Sequence, residues 1–289
     1  MIINGKENAP YLIAEIGINH SGDMQIVKKL IDAAFACGWD CVKFQKRNPD
    51  LCVPEDQKNK EKDTPWGKMT YLEYKKRMEL TKEQYDYIDK YCKEKPIDWS
   101  ASVWDLDSLN FLLQYDVPFI KIPSALLTNN LLLAKAAESG KQIILSTGMS
   151  TFDEIEDAID MIFSYSKINC PPLILLHTNS SYPAPKSELN LNVITAFKNT
   201  YNSNSVVIGY SGHEEDLEPS VIAVALGAKV IERHITLSHD MWGTDQKASL
   251  EVMGMDVLKK RIADISIILG DYNKIVTPSE VSIRAKLRK

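Results

Sequence analysis

Pro172-Leu173-Ile174-Leu175-Leu176 is an unbroken apolar run that leads into His177 and then the polar stretch Asn179-Ser180-Ser181-Tyr182. A strand with one wet face alternates apolar and polar residues. An unbroken run needs cover on both faces, as strands of a parallel sheet have. The same pattern recurs in both directions along the chain. Short β-rich runs predict strands at 11–16, 41–45, 97–102, 119–122, 142–145, 173–177, 206–209 and 230–233. Each is followed by polar residues and then by a helical pattern. Residues 153–163 place Ile155, Ile159 and Ile162 at helical spacing, and Thr151 with Glu154 reads as a capping box. Alternating strand and helix predicts an α/β fold, and a count of eight predicts a closed (β/α)8 TIM barrel. The alternative, an open doubly wound sheet, wants Gly-x-Gly-x-x-Gly after the first strand. Glu15-Ile16-Gly17-Ile18-Asn19-His20-Ser21-Gly22 does not fit it.

One such barrel takes about 250 residues, most of the 289 present. Residues 1–289 therefore read as a single domain. Two segments fall outside the repeat: a long excursion at 46–80 and a basic tail at 271–289. A net charge of −5 argues against a nucleic-acid binder. No apolar run is long enough for a membrane span, and the N-terminal stretch 1–11 lacks the pattern of a signal peptide. The five cysteines form no Cys-x-x-Cys pair. Cys37 and Cys41 read as small packing residues, and an odd count without a framework suits a reducing cytoplasm.

Barrels of this kind keep their chemistry at the C-terminal ends of the strands. Read in order, those ends carry Glu15, Lys43 with Gln45, Ser102, Lys121 with Ser124, Ser146, Asn179 with Ser180 and Tyr182, Ser211 with His213, and Glu232 with His234. Lys43 and Lys121 sit in apolar surroundings, Cys-Val-Lys-Phe-Gln and Phe-Ile-Lys-Ile-Pro. A lysine there must find an anion or lose its charge. Either each pairs with a barrel carboxylate, or both converge on a phosphate or carboxylate ligand, with Ser102, Ser124, Ser146 and Ser211 as further donors. His213 and His234, at the ends of the seventh and eighth expected strands, are candidates to share one divalent cation. His177 reads as a packed residue, with a third metal contact as its alternative; His20 reads as a turn or pocket residue and His239 as exposed. Glu15 and Glu232 are candidate acid/base groups, or else partners of Lys43 or Arg233.

Seven motifs together resemble the N-acetylneuraminate (sialic acid) synthase family, which includes the legionaminate and pseudaminate synthases. They are Glu15-Ile16-Gly17-Ile18-Asn19-His20, Lys43-Phe44-Gln45, Lys121-Ile122-Pro123-Ser124, Ile144-Leu145-Ser146-Thr147-Gly148-Met149, Tyr182-Pro183, Gly209-Tyr210-Ser211-Gly212-His213 and Glu232-Arg233-His234-Ile235. The resemblance runs from about residue 11 to 270, with the motifs in order. It implies a transferase of carbohydrate biosynthesis that condenses phosphoenolpyruvate with an N-acylated hexosamine, N-acetylmannosamine by default, and releases phosphate. It implies that His213 and His234 hold the metal, Mn²⁺ first, with Mg²⁺ or Co²⁺ as alternatives. Lys43, Ser102, Lys121, Ser124, Ser146, Ser180 and Ser211 would receive phosphoenolpyruvate. Gln45, Tyr182 and Asp245 would face the sugar, and Glu15 and Glu232 would handle protons. A homodimer is also implied.

The chain departs from the family pattern in three ways. Many relatives continue into a C-terminal antifreeze-like domain that completes a neighbour's sugar site; here the 46–80 excursion, then the basic tail, or a separate capping protein would have to cover the pocket. Relatives often read Lys-Ile-x-Ser-Gly-Glu where this chain has Ser124-Ala125-Leu126, so a carboxylate is missing. Trp66 and Trp242 stand where relatives differ, either to meet the sugar or to pack loops. Two other functions compete on the same residues: a divalent-metal aldolase or lyase, and a binding protein without catalysis.

Overall fold

The computed structural model describes residues 9–201 and 205–288. Most of the N-terminal stretch read for a signal peptide, residues 1–8, lies outside the described residues, as does the end of the basic tail, Lys289. In chain order the strands are β1 (Tyr11–Gly17), β2 (Cys41–Lys46), β3 (Glu61–Thr64), β4 (Gly67–Thr70), β5 (Asp98–Val103), β6 (Phe119–Ile122), β7 (Gln142–Ser146), β8 (Leu173–Thr178), β9 (Val206–Gly212) and β10 (Val230–His234). All but β3 and β4 are parallel and close into a barrel in the order β1-β10-β9-β8-β7-β6-β5-β2. The chain is therefore a (β/α)8 barrel, and each expected strand is present. Boundaries move a little; β9, for example, continues past Gly209 to Gly212 because its last residues keep pairing with β10.

The apolar run at 172–176 shows why the barrel is stable. Leu173 and Leu175 point outward into the layer shared with the helices. Ile174 and Leu176 point inward, against Tyr11, Ile13, Cys41, Phe119, Ile144 and Val230. Side chains alternate across a strand, so a strand walled by helices outside and by other strands inside is apolar at every position. Burying each such side chain contributes roughly 1.5–3 kcal/mol. Cys41 belongs to this inner layer, and all the cysteines are free thiols.

The inner layer also decides where the polar groups go. One step of two residues along each strand carries the inward positions from Ile13 to Glu15, Cys41 to Lys43, Phe119 to Lys121, Ile144 to Ser146 and Val230 to Glu232. The parity that seats the apolar floor thus aims these groups into the C-terminal mouth.

The helix Phe152–Tyr165 has the expected capping box: Thr151 accepts from the Glu154 amide and Glu154 accepts from that of Thr151. The 46–80 excursion is built rather than irregular. It contains the helices Pro49–Cys52, Glu55–Lys58 and Tyr71–Met78 and the antiparallel β3–β4 hairpin. The hairpin turns at Gly67, whose φ of +101° suits glycine. Trp66 and Tyr74 meet Trp242 edge-on at 5.5 and 5.3 Å, so both tryptophans serve loop packing. The excursion braces the loop after β10. No residue of 48–80 lines the mouth cavity, so the expected cover is not seen there. The tail helix Pro278–Leu287 buries none of its residues and does not line the cavity either. Among the described residues no helix is long and apolar enough to cross a membrane.

Candidate active site

A cavity of ≈ 190 Å³ opens at the C-terminal mouth. Its lining includes Glu15, Lys43, Gln45, Ser102, Lys121, Ser124, Ser146, Ser180, Tyr182, Ser211, His213, Glu232 and His234. Of the expected site residues only Asp245 stands outside that wall. It lies just behind His234, with its Oδ2 3.8 Å from Nδ1. Trp104, Pro123, Ala125, Met149 and Thr178 also line the cavity and were not foreseen. Thr178 could have been found, because it continues the inward parity of Ile174 and Leu176. Trp104 and Met149 lie in loops that no periodicity describes.

Both lysines are paired with carboxylates, and they also converge. Lys43 contacts Glu15 and lies 3.6 Å from Glu232, while Lys121 reaches Glu232 at 3.6 Å from the other side. Lys43 donates to Ser102 at 2.8 Å and Lys121 to Ser146 at 2.7 Å. Ser211 donates to Glu232 at 3.0 Å. Strand register explains the meeting: Glu15 pairs with both Lys43 and His234, and Glu232 pairs with Ser211. Arg233 is not part of this set. It points the opposite way and pairs with Glu214 at 3.0 Å, fully buried behind the barrel wall.

Burial acts unevenly on these charges. Burial and the nearby Glu232 raise Glu15 to about 7, against the pull of Lys43. Burial would raise Glu232 as well, but Lys121 and Lys43 outweigh it and hold Glu232 near 2. Burial lowers Lys121 to about 8. Glu232 is therefore a fixed anion, whereas Glu15 can change charge near neutrality.

Around the lysines sits a ring of hydroxyls. The amide of Gly148 donates to Ser124 Oγ at 3.0 Å. A β-carbon on Gly148 would come within 2.2 Å of Ser180 Oγ and 2.9 Å of Ser124 Oγ. Gly148 is thus required for the backbone to approach both serines. Gly148→Ala is expected to lower kcat/KM by about 10²-fold, since a misplacement near 1 Å is enough for that. Steady-state kinetics beside a melting curve test it: loss of activity in a variant that melts normally supports the cradle, and full activity rejects it.

Opposite the lysines stand the two imidazoles, with ring centroids 5.4 Å apart. His213 Nδ1–H donates to the Asn179 carbonyl at 2.5 Å, which leaves Nε2 as an acceptor facing the Tyr182 hydroxyl at 2.9 Å. Tyr182 stacks on His213 at 4.1 Å. Burial first, and after it the nearby His234 for His213 and Lys43 for His234, lower both histidines to about 3. Both are therefore neutral at physiological pH, with lone pairs available. Nδ1 of His234 is buried without a hydrogen-bond partner. Among the described residues no group of three or more His, Cys, Asp or Glu side chains is arranged as a metal cage. The other histidines lie elsewhere. His177 bonds the Leu189 carbonyl at 2.7 Å, His20 accepts from the Gly22 amide at 2.9 Å, and the partly exposed His239 bonds the Ser249 carbonyl.

The sequence profile of the NeuB family matches residues 30–274. The chain belongs to the NeuB family. Its NeuB relatives include sialic, legionaminic and pseudaminic acid synthases. It is 36% identical to N-acetylneuraminate-9-phosphate synthase of Homo sapiens, over 99% of this chain and 78% of that protein. It is also 36% identical to the N,N'-diacetyllegionaminic acid synthase of Campylobacter jejuni, over 93% of this chain and 80% of that one. The crystal structure of the N-acetylneuraminic acid (sialic acid) synthetase of Leptospira borgpetersenii, in complex with citrate, superposes with a TM-score of 0.83. It is 31% identical, with 98% of this chain and 93% of that chain covered.

Proposed function

We propose that this NeuB chain condenses phosphoenolpyruvate with an N-acylated hexosamine and water, giving a nine-carbon 2-keto-3-deoxy sugar acid and phosphate. One observation carries this reading: two ammonium groups ringed by serines face two neutral imidazoles across one cavity.

The chemistry divides between the two walls. Lys43, Lys121, Ser102, Ser124, Ser146, Ser180 and Ser211 would hold the phosphate and carboxylate of phosphoenolpyruvate. Carbon 3 of that substrate bonds to the aldehyde carbon of the ring-opened sugar. Water then adds at carbon 2, and the carbon–oxygen bond to phosphate breaks. The lysines favour this because charge accumulates on the departing phosphate in a site where water screens poorly. Lys43 and Lys121 balance Glu15 and Glu232 in the free enzyme, so an incoming anion gains most if Glu15 takes up a proton. Its position near 7 allows that exchange. Glu15 is thus the group placed to accept and return a proton, while Glu232 holds the lysines in register. Gln45 and Tyr182 would position the sugar, with Asp245 steadying His234.

The two imidazoles fit a divalent cation. They are neutral, the tautomer of His213 is set by a backbone carbonyl, and their 5.4 Å spacing suits rings sharing one ion with bonds near about 2.1 Å. Such a cation, Mn²⁺ for preference with Mg²⁺ or Co²⁺ as alternatives, would supply Lewis acidity toward an aldehyde oxygen.

The test is incubation with Mn²⁺, phosphoenolpyruvate and a panel of N-acylated hexosamines, including N-acetylmannosamine and a 6-deoxy diacetamido sugar. Phosphate and 2-keto-3-deoxy acid are measured together. Equal formation of both supports the synthase. Cleavage of a preformed sugar acid without phosphate chemistry would instead indicate an aldolase, and silence across the panel would overturn the proposal. The pH profile gives a second check. Anion binding needs Glu15 protonated and Lys121 charged, so kcat/KM should fall as pH rises through about 7 and fall further above about 8. A flat profile between those values would remove Glu15 from its role.

A further inference from the structure

Behind the two imidazoles lies a buried ionic cluster that the chemistry above does not use. Arg233 precedes His234 in the chain, and Glu214 follows His213. Both charged side chains are buried. Arg233 Nη1 lies 3.0 Å from Glu214 Oε1 and donates to the Asp216 carbonyl and to Ser220 Oγ, each at 3.0 Å. Its Nη2 donates to the Glu214 carbonyl. The Tyr210 hydroxyl closes the cluster by donating to Glu214 Oε2 at 2.7 Å. One guanidinium on β10 thus grips residues 214 and 216 and the first turn of the helix Glu218–Ala225.

Backbone pairing between the two strands stops short of the histidines. The register of β9 with β10 ends where Arg233 meets Gly212. His234 lies past that rung but pairs on its other side with Glu15 of β1. His213 lies past the end of β9. Its carbonyl accepts from the Ala184 amide at 3.0 Å, and its ring donates to the Asn179 carbonyl, so both of these ties come from the segment after β8. On the β10 side, Arg233 holds the very next residue, Glu214, by its carboxylate and its carbonyl. That carboxylate folds back over Gly212, where a β-carbon would meet both of its oxygens at 2.7 Å. Gly212 therefore lets the ion pair seat against the backbone just before His213.

Fold stability does not by itself explain such a pair. Two charges taken out of water cost desolvation, and apolar side chains of similar volume are often as stabilising or more so. What a planar guanidinium adds is direction, because its forked donors fix a carboxylate and carbonyls in one geometry.

We propose that Arg233 and Glu214 are positioning residues for the imidazole pair. By tying the end of β10 to the turn after β9, they set the separation and aim of His213 and His234, and with them the affinity for a divalent cation. This rests on the reading of that pair as a cation site. Neither Arg233 nor Glu214 lines the cavity, so they act through the backbone of the histidines and not on substrate.

The test is titration calorimetry of the full chain with Mn²⁺ alone and, separately, with phosphoenolpyruvate alone. Glu214→Gln with Arg233→Met removes both charges together, so neither is left buried and unpaired. The expected result is a Kd for Mn²⁺ raised about 10–100-fold. The affinity for phosphoenolpyruvate, assigned to the lysines of β2 and β6, should stay near that of the wild type. Tyr210→Phe removes one bond to Glu214 and keeps the ring in the core; it should raise the Kd for Mn²⁺ about tenfold. Unchanged Mn²⁺ affinity in the double variant, or in Tyr210→Phe where the double variant does not fold, overturns the positioning role and leaves the cation site intact. Parallel loss of both ligands also overturns it, since that marks a general collapse of the mouth. A wild-type chain that does not bind Mn²⁺ overturns the cation reading and this proposal with it.

Discussion

Exchange of Lys121 for methionine is expected to lower kcat/KM by about 10³-fold and stability by about 3 kcal/mol. The two losses have different causes. Lys121 is buried, and its ammonium group lies 3.6 Å from Glu232. Removing it leaves Glu232, held near 2 by both lysines, with Lys43 alone as its close cation. An incompletely compensated buried carboxylate accounts for the stability change. The activity change comes from the proposed phosphate cradle, in which Lys121 and Ser146 act as one unit. The second change Glu232→Gln separates them. Lys121→Met/Glu232→Gln should recover most of the urea-unfolding stability while remaining inactive. A Lys121→Met enzyme within about tenfold of wild-type kcat/KM would remove Lys121 from catalysis.

His213→Ala and His234→Ala are each expected to abolish measurable turnover, and to abolish Mn²⁺ binding by titration calorimetry. Among the described residues His213 and His234 are the two imidazoles that line the cavity, so loss of either leaves a single one. The calorimetric readout distinguishes this from a folding defect, as does the melting temperature. Neutral imidazoles are available across the working range, because both histidines are held near 3. Metal affinity should therefore change little between about pH 6 and 8, unlike that of sites whose histidines must first lose a proton. Activity of either variant that persists after exhaustive chelation would reject the imidazole pair as the metal site.

Much of the site was legible in the sequence because barrel strands are short and their parity is strict. Lys43 and Lys121 stood out since charge in an apolar run needs a partner, and their partners are Glu15 and Glu232, two of the same strand-end residues. Other features left no trace in periodicity. The Arg233–Glu214 pair sits behind the wall, where a charge next to Glu232 in sequence points away from it in space. The hairpin of the excursion, and its grip on Trp242, depend on contacts between segments far apart in the chain. Trp104 and Met149 reach the cavity from loops, where side-chain direction follows turn geometry rather than a repeat.

The amino-acid sequence on its own determined the barrel, the strand ends that face its mouth and the kinds of group found there. These follow from alternation and burial, which are local properties of each strand. Only the tertiary structure decided which charges meet: that Glu15 can change charge near neutrality while Glu232 stays ionised, and that Arg233 pairs with Glu214 behind the wall. Electrostatic character depends on distance and desolvation, and both are set by strands and loops brought together from across the chain.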